Sequence, residues 1–326
     1  MEAKRKHWIE FLESADESTL WTAARYIDSP NAGEGGAKTR IPTLQIKDQD
    51  GSVTYAQTNS DKAHHIARSF FPPPPTSPSI PANPRFPDPV PYTPRFTRDQ
   101  IRRIVDKLSP YKAAGPDTIP NVVWKKCIDV VIDHLFHIYN ACLTDGFYCE
   151  QWLESLTAVL RKPGRQTYDI PKSYRPIALL NTIAKIFTAL LAEDITILAE
   201  QHKLLPAHHF GGRPGRRTTD SMHLLTHRIK HAWRNGRVAS VLFLDIEGAF
   251  PNAVKERLLF NMRKRRIPEQ LIRCVNTVLT GRTTKLKFDD YTSDRIPLLN
   301  GIGQGDPLSM ISYLFYNADI LDIPNS

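Results

Sequence analysis

The sequence predicts an α+β fold, and three kinds of segment carry this prediction. Residues 122–143 and 181–201 show the apolar spacing of amphipathic helices. Residues 156–160 and 174–180 are short apolar runs of the kind that forms strands. Residues 241–244 are an unbroken apolar run, rich enough in Val, Leu and Phe for a strand that is buried on both faces.

Residues 1–71 are predicted to form a small N-terminal extension. It begins with one or two helices, which a glycine-containing loop follows. Residues 41–46 and 52–55 predict a hairpin, because an Asp-Gly pair stands between them. Ser60 is a candidate cap for a helix that ends near Phe71.

Residues 72–95 are predicted to be a proline-rich linker. Many of the chain's 26 prolines fall within it. Proline fixes its own φ angle and lacks a backbone donor, so the segment cannot form a helix or an interior strand. A proline-rich docking peptide is the alternative interpretation.

Residues 96–326 contain the remaining predicted elements. Thr97 and Gln100 have the spacing of a capping box, so a helix should begin there and end near Leu108. Asn181 is the candidate cap of the helix that ends at Gln201. After the apolar run, the pattern predicts helices to about residue 280, strands at 283–288 and 295–299, and a helix at 307–321.

The charge balance favours a polyanionic partner. Lys and Arg number 43 against 34 Asp and Glu, which gives a net charge of +9. Such a balance is typical of proteins that bind nucleic acid. A generally basic enzyme is the alternative, so the clustering of the charges has to decide.

The cysteines and the apolar segments favour an intracellular protein without a membrane span. The four cysteines form no CxxC pair, which argues against a zinc site or a disulfide framework. The N-terminus is charged and lacks the apolar core of a secretory signal. Charged residues interrupt the apolar stretch 177–199, so it predicts an amphipathic helix. Nucleus and cytoplasm are both compatible with these features.

Asp245 directly follows the apolar run, where a carboxylate is costly unless something compensates its charge. A bound cation is the usual compensation where a strand meets a loop. The alternative is a structural Asp that caps the helical pattern beginning near Val254.

Four motifs occur in an order that resembles one enzyme family. They are KAAGPDTIP at 112–120, KPGR at 162–165 with SYRPIALLN at 173–181, FLDIEGAF at 243–250, and GIGQGDPLSMISYLF at 301–315. Together they resemble the motifs of reverse transcriptases, most closely those of non-LTR, LINE-type retrotransposons. The resemblance implies a right-hand polymerase fragment, with fingers and part of the palm at 96–326. Residues 1–95 resemble the region that such elements place before the polymerase.

The resemblance implies two-metal phosphoryl transfer with Mg²⁺. Asp245 matches the family's first metal-binding aspartate, and the backbone carbonyl of Ile246 would supply a further hard oxygen. Glu247 matches no metal ligand of the family and is interpreted as structural.

Five residues match positions that hold the incoming nucleotide in this family. Phe250 matches the steric gate that excludes a 2′ hydroxyl, although a core Phe is the alternative. Gln304 and Gly305 match the contact to the nascent base pair. Lys162 and Arg175 match the finger residues that bind the triphosphate, because a compact charge and a bidentate fork both suit phosphate oxygens. Arg161 or Arg165 could replace Lys162 in this role.

Residues 208–237 form a basic block that suits a nucleic-acid backbone. Within it, Arg213, Arg216 and Arg217 are the predicted contacts to an RNA template or RNA–DNA hybrid. A solvated, charged helix face is the alternative. Three histidines recur at helical spacing in the block, but no Cys or acid joins them at metal-ligand spacing.

The family's Tyr/Phe-x-Asp-Asp motif does not occur before Ser326. Asp319 falls within the helix of the Gln-Gly motif, and Asp289-Asp290 predicts a hairpin turn, so neither is assigned to metal. We therefore expect an incomplete metal site, an exposed palm strand edge, a tendency to associate, and no polymerisation by the 326-residue chain alone.

The resemblance implies the reverse transcriptase domain of a LINE-type retroelement, with RNA template, DNA primer and deoxynucleotides as partners, and the element's own RNA among the templates. One alternative is a non-catalytic remnant that binds nucleic acid. Another is a palm polymerase that copies DNA. The sequence leaves the oligomeric state open.

Overall fold

The computed structural model describes residues 40–47, 52–77 and 79–322. The chain divides into two compact units, 1–42 and 43–326, and the elements below belong to the second. The helices predicted at the start of the chain lie outside the described residues. The described elements form a mixed α+β structure.

A hairpin and one helix open the second unit. Strands β1 (Leu44–Lys47) and β2 (Val53–Ala56) pair antiparallel, which confirms the predicted hairpin. Helix α1 (Asn59–Phe70) begins earlier than predicted, because Thr58 is its cap. The Thr58 hydroxyl accepts a hydrogen bond from the Asp61 backbone at 3.1 Å, so the prediction of a Ser60 cap is wrong.

The proline-rich segment is extended and lies on the helical body. The Val90 backbone donates to the Arg266 carbonyl at 2.9 Å. The Tyr92 hydroxyl donates to Asp194 at 2.8 Å, and Phe96 is fully buried. The extended conformation agrees with the prediction, but these contacts anchor the C-terminal half of the segment to the body.

Seven further helices are described. They are α2 (Arg98–Asp106), α3 (Asn121–Asp145), α4 (Thr182–Gln201), α5 (Thr218–Arg234), α6 (Lys255–Lys264), α7 (Glu269–Leu279) and α8 (Pro307–Asp322). All but α5 contribute to one apolar core. The capping box of Thr97 and Gln100 is confirmed. Among the described residues, no helix is both long and apolar enough to span a bilayer.

A five-stranded mixed sheet lies beside these helices. Its strands are β3 (Glu154–Arg161), β4 (Tyr174–Leu179), β5 (Thr283–Phe288), β6 (Tyr291–Thr292) and β7 (Ile296–Pro297). Strand β3 pairs antiparallel with β4 and parallel with β5. Strands β6 and β7 both pair antiparallel with β5. The turn between β5 and β6 holds Asp289 and Asp290, as predicted.

The predicted buried strand at 241–244 is wrong. These residues have no regular structure, and Leu242, Phe243 and Leu244 are 80%, 78% and 81% exposed. The run has the apolar composition of a buried strand, but a strand also needs a partner for its backbone groups. None of the described strands pairs with it.

Asn181 precedes α4 as predicted, yet its side chain does not cap the helix. Its Oδ1 atom accepts a hydrogen bond from the Asp117 backbone at 3.0 Å, and its Nδ2 atom donates to the Gln151 carbonyl at 3.2 Å. Asn181 therefore holds the 112–120 turn against the start of α4.

Candidate active site

Four basic residues lie together at the end of the sheet, in the turn between β3 and β4 and at the start of β4, and we call this group the basic turn. Lys162, Arg165, Lys172 and Arg175 lie close enough that the other three charges help to lower the pKa of Lys162, after the larger effect of its partial burial. The Lys162 ammonium donates to the Lys172 carbonyl at 2.8 Å. A concentrated positive potential of this kind favours a polyphosphate.

Backbone pairing holds this turn in place. The Lys162 backbone donates to the Ser173 carbonyl at 2.9 Å, which continues the ladder between β3 and β4. The Tyr168 hydroxyl donates to the Lys162 carbonyl at 2.8 Å. The Gln45 backbone and side chain both donate to Asp169, at 2.6 and 2.8 Å, so the β1–β2 hairpin contacts the same turn.

An ion pair joins the basic turn to the loop that carries Asp245. The Lys172 ammonium lies 2.6 Å from a Glu247 carboxylate oxygen. The hydrogen bond and charge of Lys172 lower the pKa of Glu247. Both side chains are exposed, so the pair contributes little stability. The ion pair matters because it holds the Asp245 loop near the basic turn, since Asp245 is two residues before Glu247.

Asp245 and Ile246 are exposed, and no hydrogen bond or ion pair within the described residues uses their polar atoms. A free carboxylate and a free carbonyl are the hard oxygen donors that Mg²⁺ prefers. The part of the chain that the structure describes has no group of three or more His, Cys, Asp or Glu side chains that could hold a metal ion. The Asp245 carboxylate and the Ile246 carbonyl therefore fit a divalent cation site as part of its ligand set.

Phe250 lies between the Asp245 loop and helix α8. Its ring is half-buried, 5.3 Å from the Tyr313 ring. The Phe250 carbonyl accepts a hydrogen bond from the Ile302 backbone at 2.9 Å. A Cβ atom on Gly301 would lie 2.7 Å from the Pro251 carbonyl oxygen, so this close approach requires glycine. The structure thus brings Phe250 and the Gln-Gly motif together.

Gln304 and Gly305 lie along the edge of β4. The Ala178 backbone donates to the Gln304 carbonyl at 2.7 Å. Gly305 has a φ of 119°, and a Cβ atom there would lie 2.6 Å from the Ala178 carbonyl oxygen. The motif is therefore fixed to the strand that carries Arg175, and the Gln304 side chain makes no hydrogen bond within the described residues.

Two charged residues behind this motif were missed by the sequence reasoning. Asp306 accepts a hydrogen bond from the Leu308 backbone at 3.0 Å and so caps α8. Arg282 donates to the Gly301 carbonyl at 2.5 Å. Burial raises the pKa of Asp306 and lowers that of Arg282 to about 10. The Asp-Pro pair at the helix start was the available signal for Asp306, and Arg282 had none.

Arg213 is a structural residue, which contradicts its predicted contact to nucleic acid. Its side chain is 3% exposed and donates to both carboxylate oxygens of Glu200, at 2.7 and 2.8 Å. Its remaining nitrogen donates to the Pro206 carbonyl at 2.8 Å. A guanidinium with all its nitrogens engaged in the interior cannot reach a phosphate.

Arg216 and Arg217 differ from Arg213. Arg216 is half-buried, lies 5.7 Å over the Phe210 ring and donates to the Ala207 carbonyl. Arg217 is exposed at the start of α5, where its backbone donates to Asp220 at 2.7 Å. Arg217 remains accessible to a phosphate, and Arg216 is partly accessible.

Helix α5 has no buried residue. It exposes Arg228, Lys230 and Arg234, and Trp233 is 65% exposed. Trp233 was missed as a binding candidate, although an aromatic residue among basic ones is a signal for nucleic acid. The histidines at 223, 227 and 231 are also exposed, and no metal-binding group is found among the described residues.

His209 is buried beside Arg213. Burial lowers its pKa to about 4, and the charges of Arg213, Arg265 and Arg216 add to this effect. Its Nδ1 atom is buried without a hydrogen-bond partner. His209 is therefore neutral in the folded protein at neutral pH.

Comparisons with known proteins bear on this arrangement. A family model described as "Reverse transcriptase (RNA-dependent DNA polymerase)" matches residues 160–325. The probable RNA-directed DNA polymerase from transposon X-element of Drosophila melanogaster is 29% identical over 231 residues, which are 71% of this chain and 25% of that protein. The RNA-directed DNA polymerase from mobile element jockey of the same species is 29% identical over 224 residues, 69% of this chain and 24% of that protein.

A third relative is the Pol polyprotein from the type-1 retrotransposable element R2 of Nasonia vitripennis. It is 27% identical over 219 residues, 67% of this chain and 20% of that protein. The chain therefore spans at most about a quarter of the length of these three curated relatives.

Proposed function

The chain belongs to the reverse transcriptase family, and we propose that it works as the nucleotide-binding and template-binding part of a LINE-type RNA-directed DNA polymerase. One observation carries the proposal. The Lys172–Glu247 contact brings the basic turn beside the Asp245 loop, which supports one shared site for the proposed phosphate-binding and cation-binding groups. The match to the family model covers both.

In this proposal the β3–β4 turn belongs to the fingers, and the Asp245 loop with the Gln-Gly motif belongs to the palm. Residues 96–326 form the reverse transcriptase domain, residues 72–95 the linker, and residues 1–71 the N-terminal extension. The contacts of Gln45 with Asp169 support a structural role for the described part of that extension.

The triphosphate binds to the basic turn. Lys162 and Arg175 supply the point charge and the bidentate fork, and Arg165 adds to the field. Lys172 exchanges Glu247 for a phosphate oxygen, because a polyanion outcompetes a single exposed carboxylate.

Asp245 and the Ile246 carbonyl would hold Mg²⁺, since both are hard oxygen donors and neither makes a hydrogen bond within the described residues. A bound divalent cation offsets the charge of the triphosphate and makes the primer hydroxyl easier to deprotonate. A two-metal site needs several carboxylates, and the described residues supply one at this place. We therefore expect the 326-residue chain to bind nucleotide without extending a primer.

Phe250 and Gln304 would select the nucleotide. The half-buried Phe250 ring is fixed against Tyr313, so it presents a rigid wall to the sugar. The Gln304 amide, which has no hydrogen-bond partner within the described residues, can both donate and accept hydrogen bonds near the nascent base pair. Gly305 keeps the backbone close to β4 and leaves room for the nucleotide.

The template and primer would contact Arg217, Arg216 and the exposed cations of α5. Trp233 offers a surface on which an unpaired base can stack. The element's own RNA is the proposed template, within the nucleus or the cytoplasm.

A second candidate function is nucleic-acid binding without polymerisation. Within the described residues, the site has one free carboxylate, and a two-metal site needs several. This favours binding without polymerisation for the 326-residue chain alone. Primer extension on matched RNA and DNA templates separates these functions. Extension on RNA by the 326-residue chain would contradict the account of its metal site, and extension on DNA alone would indicate a different palm polymerase.

Binding to an RNA–DNA hybrid at increasing salt tests the nucleic-acid interface. The affinity should fall steeply with salt, because each phosphate contact releases a counterion. Arg217→Ala and Arg228→Ala together should lower both the affinity and the salt slope. Lys126→Ala is the control, since Lys126 is an exposed cation on α3. An equal effect of the control would place the interface elsewhere.

A further inference from the structure

Arg282 lies behind residues 300–306, the loop that carries the Gln-Gly motif and that we call the motif loop. It stands between the end of α7 and the start of β5. Its Nη2 atom donates a hydrogen bond to the Gly301 carbonyl at 2.5 Å, and its Nε atom donates to the Leu279 carbonyl at 3.3 Å. One guanidinium therefore connects the last residue of α7 to the motif loop.

The backbone of the motif loop is hydrogen-bonded to two segments that carry residues of the proposed nucleotide site. The Ile302 backbone donates to the Phe250 carbonyl at 2.9 Å, and the Gln304 carbonyl accepts from the Ala178 backbone at 2.7 Å. Gly301 directly precedes the first of these contacts and lies three residues before the second. A displacement of Gly301 would therefore disturb both contacts, because only a few peptide units separate them.

The motif loop needs support from outside itself. Its residues form turns and bends, and three of its seven residues are glycines, which restrict the backbone little. Cavities of about 30 Å³ adjoin Arg282, one lined also by Gly303 and Asp306 and another by Pro251 and Gln304. Because side chains do not fill this space, hydrogen bonds to the loop backbone contribute most to its position.

Asp306 stabilises the charge of Arg282 from the other end of the motif loop. Asp306 caps α8 by accepting a hydrogen bond from the Leu308 backbone. Burial lowers the pKa of Arg282 to about 10, and the charge of Asp306 opposes this effect. Arg282 is therefore charged at neutral pH, and a charged donor makes a stronger hydrogen bond to a carbonyl than a neutral one.

We propose that Arg282 is a positioning residue of the nucleotide site. By holding the Gly301 carbonyl, it keeps Gln304 at the place on β4 where the amide distinguishes a matched base pair from a mismatched one. Arg282 contacts neither nucleotide nor primer, so its effect reaches the substrate through Gln304. The inference deepens the role of Gln304 and so rests on the proposed function. Without Arg282, the glycine-rich loop samples several positions, and the selection of the matched nucleotide weakens.

Binding of matched and mismatched magnesium–deoxynucleotide complexes to the protein on an RNA–DNA template–primer tests this role, at a temperature where all variants are folded. Arg282→Met removes the donors and should reduce the ratio of matched to mismatched affinity roughly tenfold. Arg282→Lys keeps a charged donor and should restore part of the ratio. Arg213→Met is the matched control, because Arg213 is a buried arginine that contacts Glu200 and Pro206. The control should lower stability and leave the ratio unchanged.

Hydrogen exchange without nucleotide tests the position of the motif loop separately. Arg282→Met should speed exchange at the amides of Ile302 and Ala178, whereas Arg213→Met should not. Unchanged exchange at both amides overturns the proposal. So does an unchanged affinity ratio in Arg282→Met, or an equal loss of the ratio in Arg213→Met. A parent chain that binds no nucleotide contradicts the proposed function itself, and the role of Arg282 in selection falls with it.

Discussion

Strand β4 and residues 241–244 are both predicted as strands from the sequence, yet only β4 is one. Strand β4 pairs with β3 along one edge. On its other edge, the Ala178 backbone donates a hydrogen bond to the Gln304 carbonyl. Residues 241–244 have neither kind of partner within the described residues. Apolar composition predicts burial only where another segment also satisfies the backbone.

Two arginines of the basic block at 208–237 show a similar contrast, although the sequence predicts the same role for both. Arg213 is buried against Glu200, whereas Arg217 is exposed at the start of α5. Their neighbours in space differ, and the sequence gives no information about those neighbours. One arginine therefore contributes to stability, and the other is available to bind an external anion.

The largest expected effect separates these two arginines. Arg213→Ala should lower the free energy of unfolding by about 3–5 kcal/mol, since it leaves Glu200 without its partner. Arg217→Ala should change it by less than about 0.5 kcal/mol, as exposed substitutions do. Urea unfolding measures both. Similar losses for the two variants would show that the contrast is false.

The next effect concerns pH and His209. The histidine has a pKa of about 4 in the folded protein and 6.5 as its ordinary value. The unfolded chain therefore binds more protons between these limits, and stability should rise by up to about 3 kcal/mol from pH 4 to pH 6.5. Above that range the contribution of this group is constant.

Other groups also titrate in this range, so the slope must be compared between variants. His209→Gln should flatten the dependence of unfolding free energy on pH, because it removes the group that charges only on unfolding. His223→Gln is the matched control, since His223 is exposed on α5. Parallel curves for the parent and His209→Gln would contradict the burial of this neutral histidine.

A smaller effect tests the attachment of the Gln-Gly motif to β4. Gly305→Ala should destabilise the protein by about 2 kcal/mol, because its φ is unfavourable for alanine and its Cβ would clash with Ala178. Gly211→Ala is the control, with no atom within 4 Å of the added Cβ. Thermal unfolding of both variants measures the difference. Equal stability would mean that the motif does not lie on the strand.

The smallest effect lies in residues 241–244, the exposed run before Asp245. Leu242→Ala should change the unfolding free energy by less than about 0.5 kcal/mol, because the Leu242 side chain is exposed. Leu190→Ala removes the same atoms from the core and should cost about 2–5 kcal/mol. A large cost for Leu242→Ala would show that this segment is buried in solution.

Much of the fold was predictable because its signals are local. The capping box at Thr97, the hairpin of β1 and β2, and the amphipathic helices depend on residues near one another in sequence. The order of the motifs also identified the family, which the match to residues 160–325 confirms. Local spacing is sufficient for such features.

What escaped prediction depends on contacts between distant segments. Asn181 bonds to Asp117 and Gln151 instead of capping its own helix. Lys172 pairs with Glu247, 75 positions away. Arg282 donates a hydrogen bond to the Gly301 carbonyl, and no local sequence pattern indicates this contact. In each case the partner lies too far along the chain for a local sequence pattern to indicate it.

Binding of a magnesium–deoxynucleotide complex to the protein on an RNA–DNA template–primer tests the central claim most directly. If the basic turn and Asp245 form one site, Arg175→Ala and Asp245→Asn should each weaken binding roughly tenfold. Their combined effect should differ from the sum of the separate effects, because the two groups act on one ligand. Strictly additive effects, or binding that ignores either substitution, would contradict a shared nucleotide site.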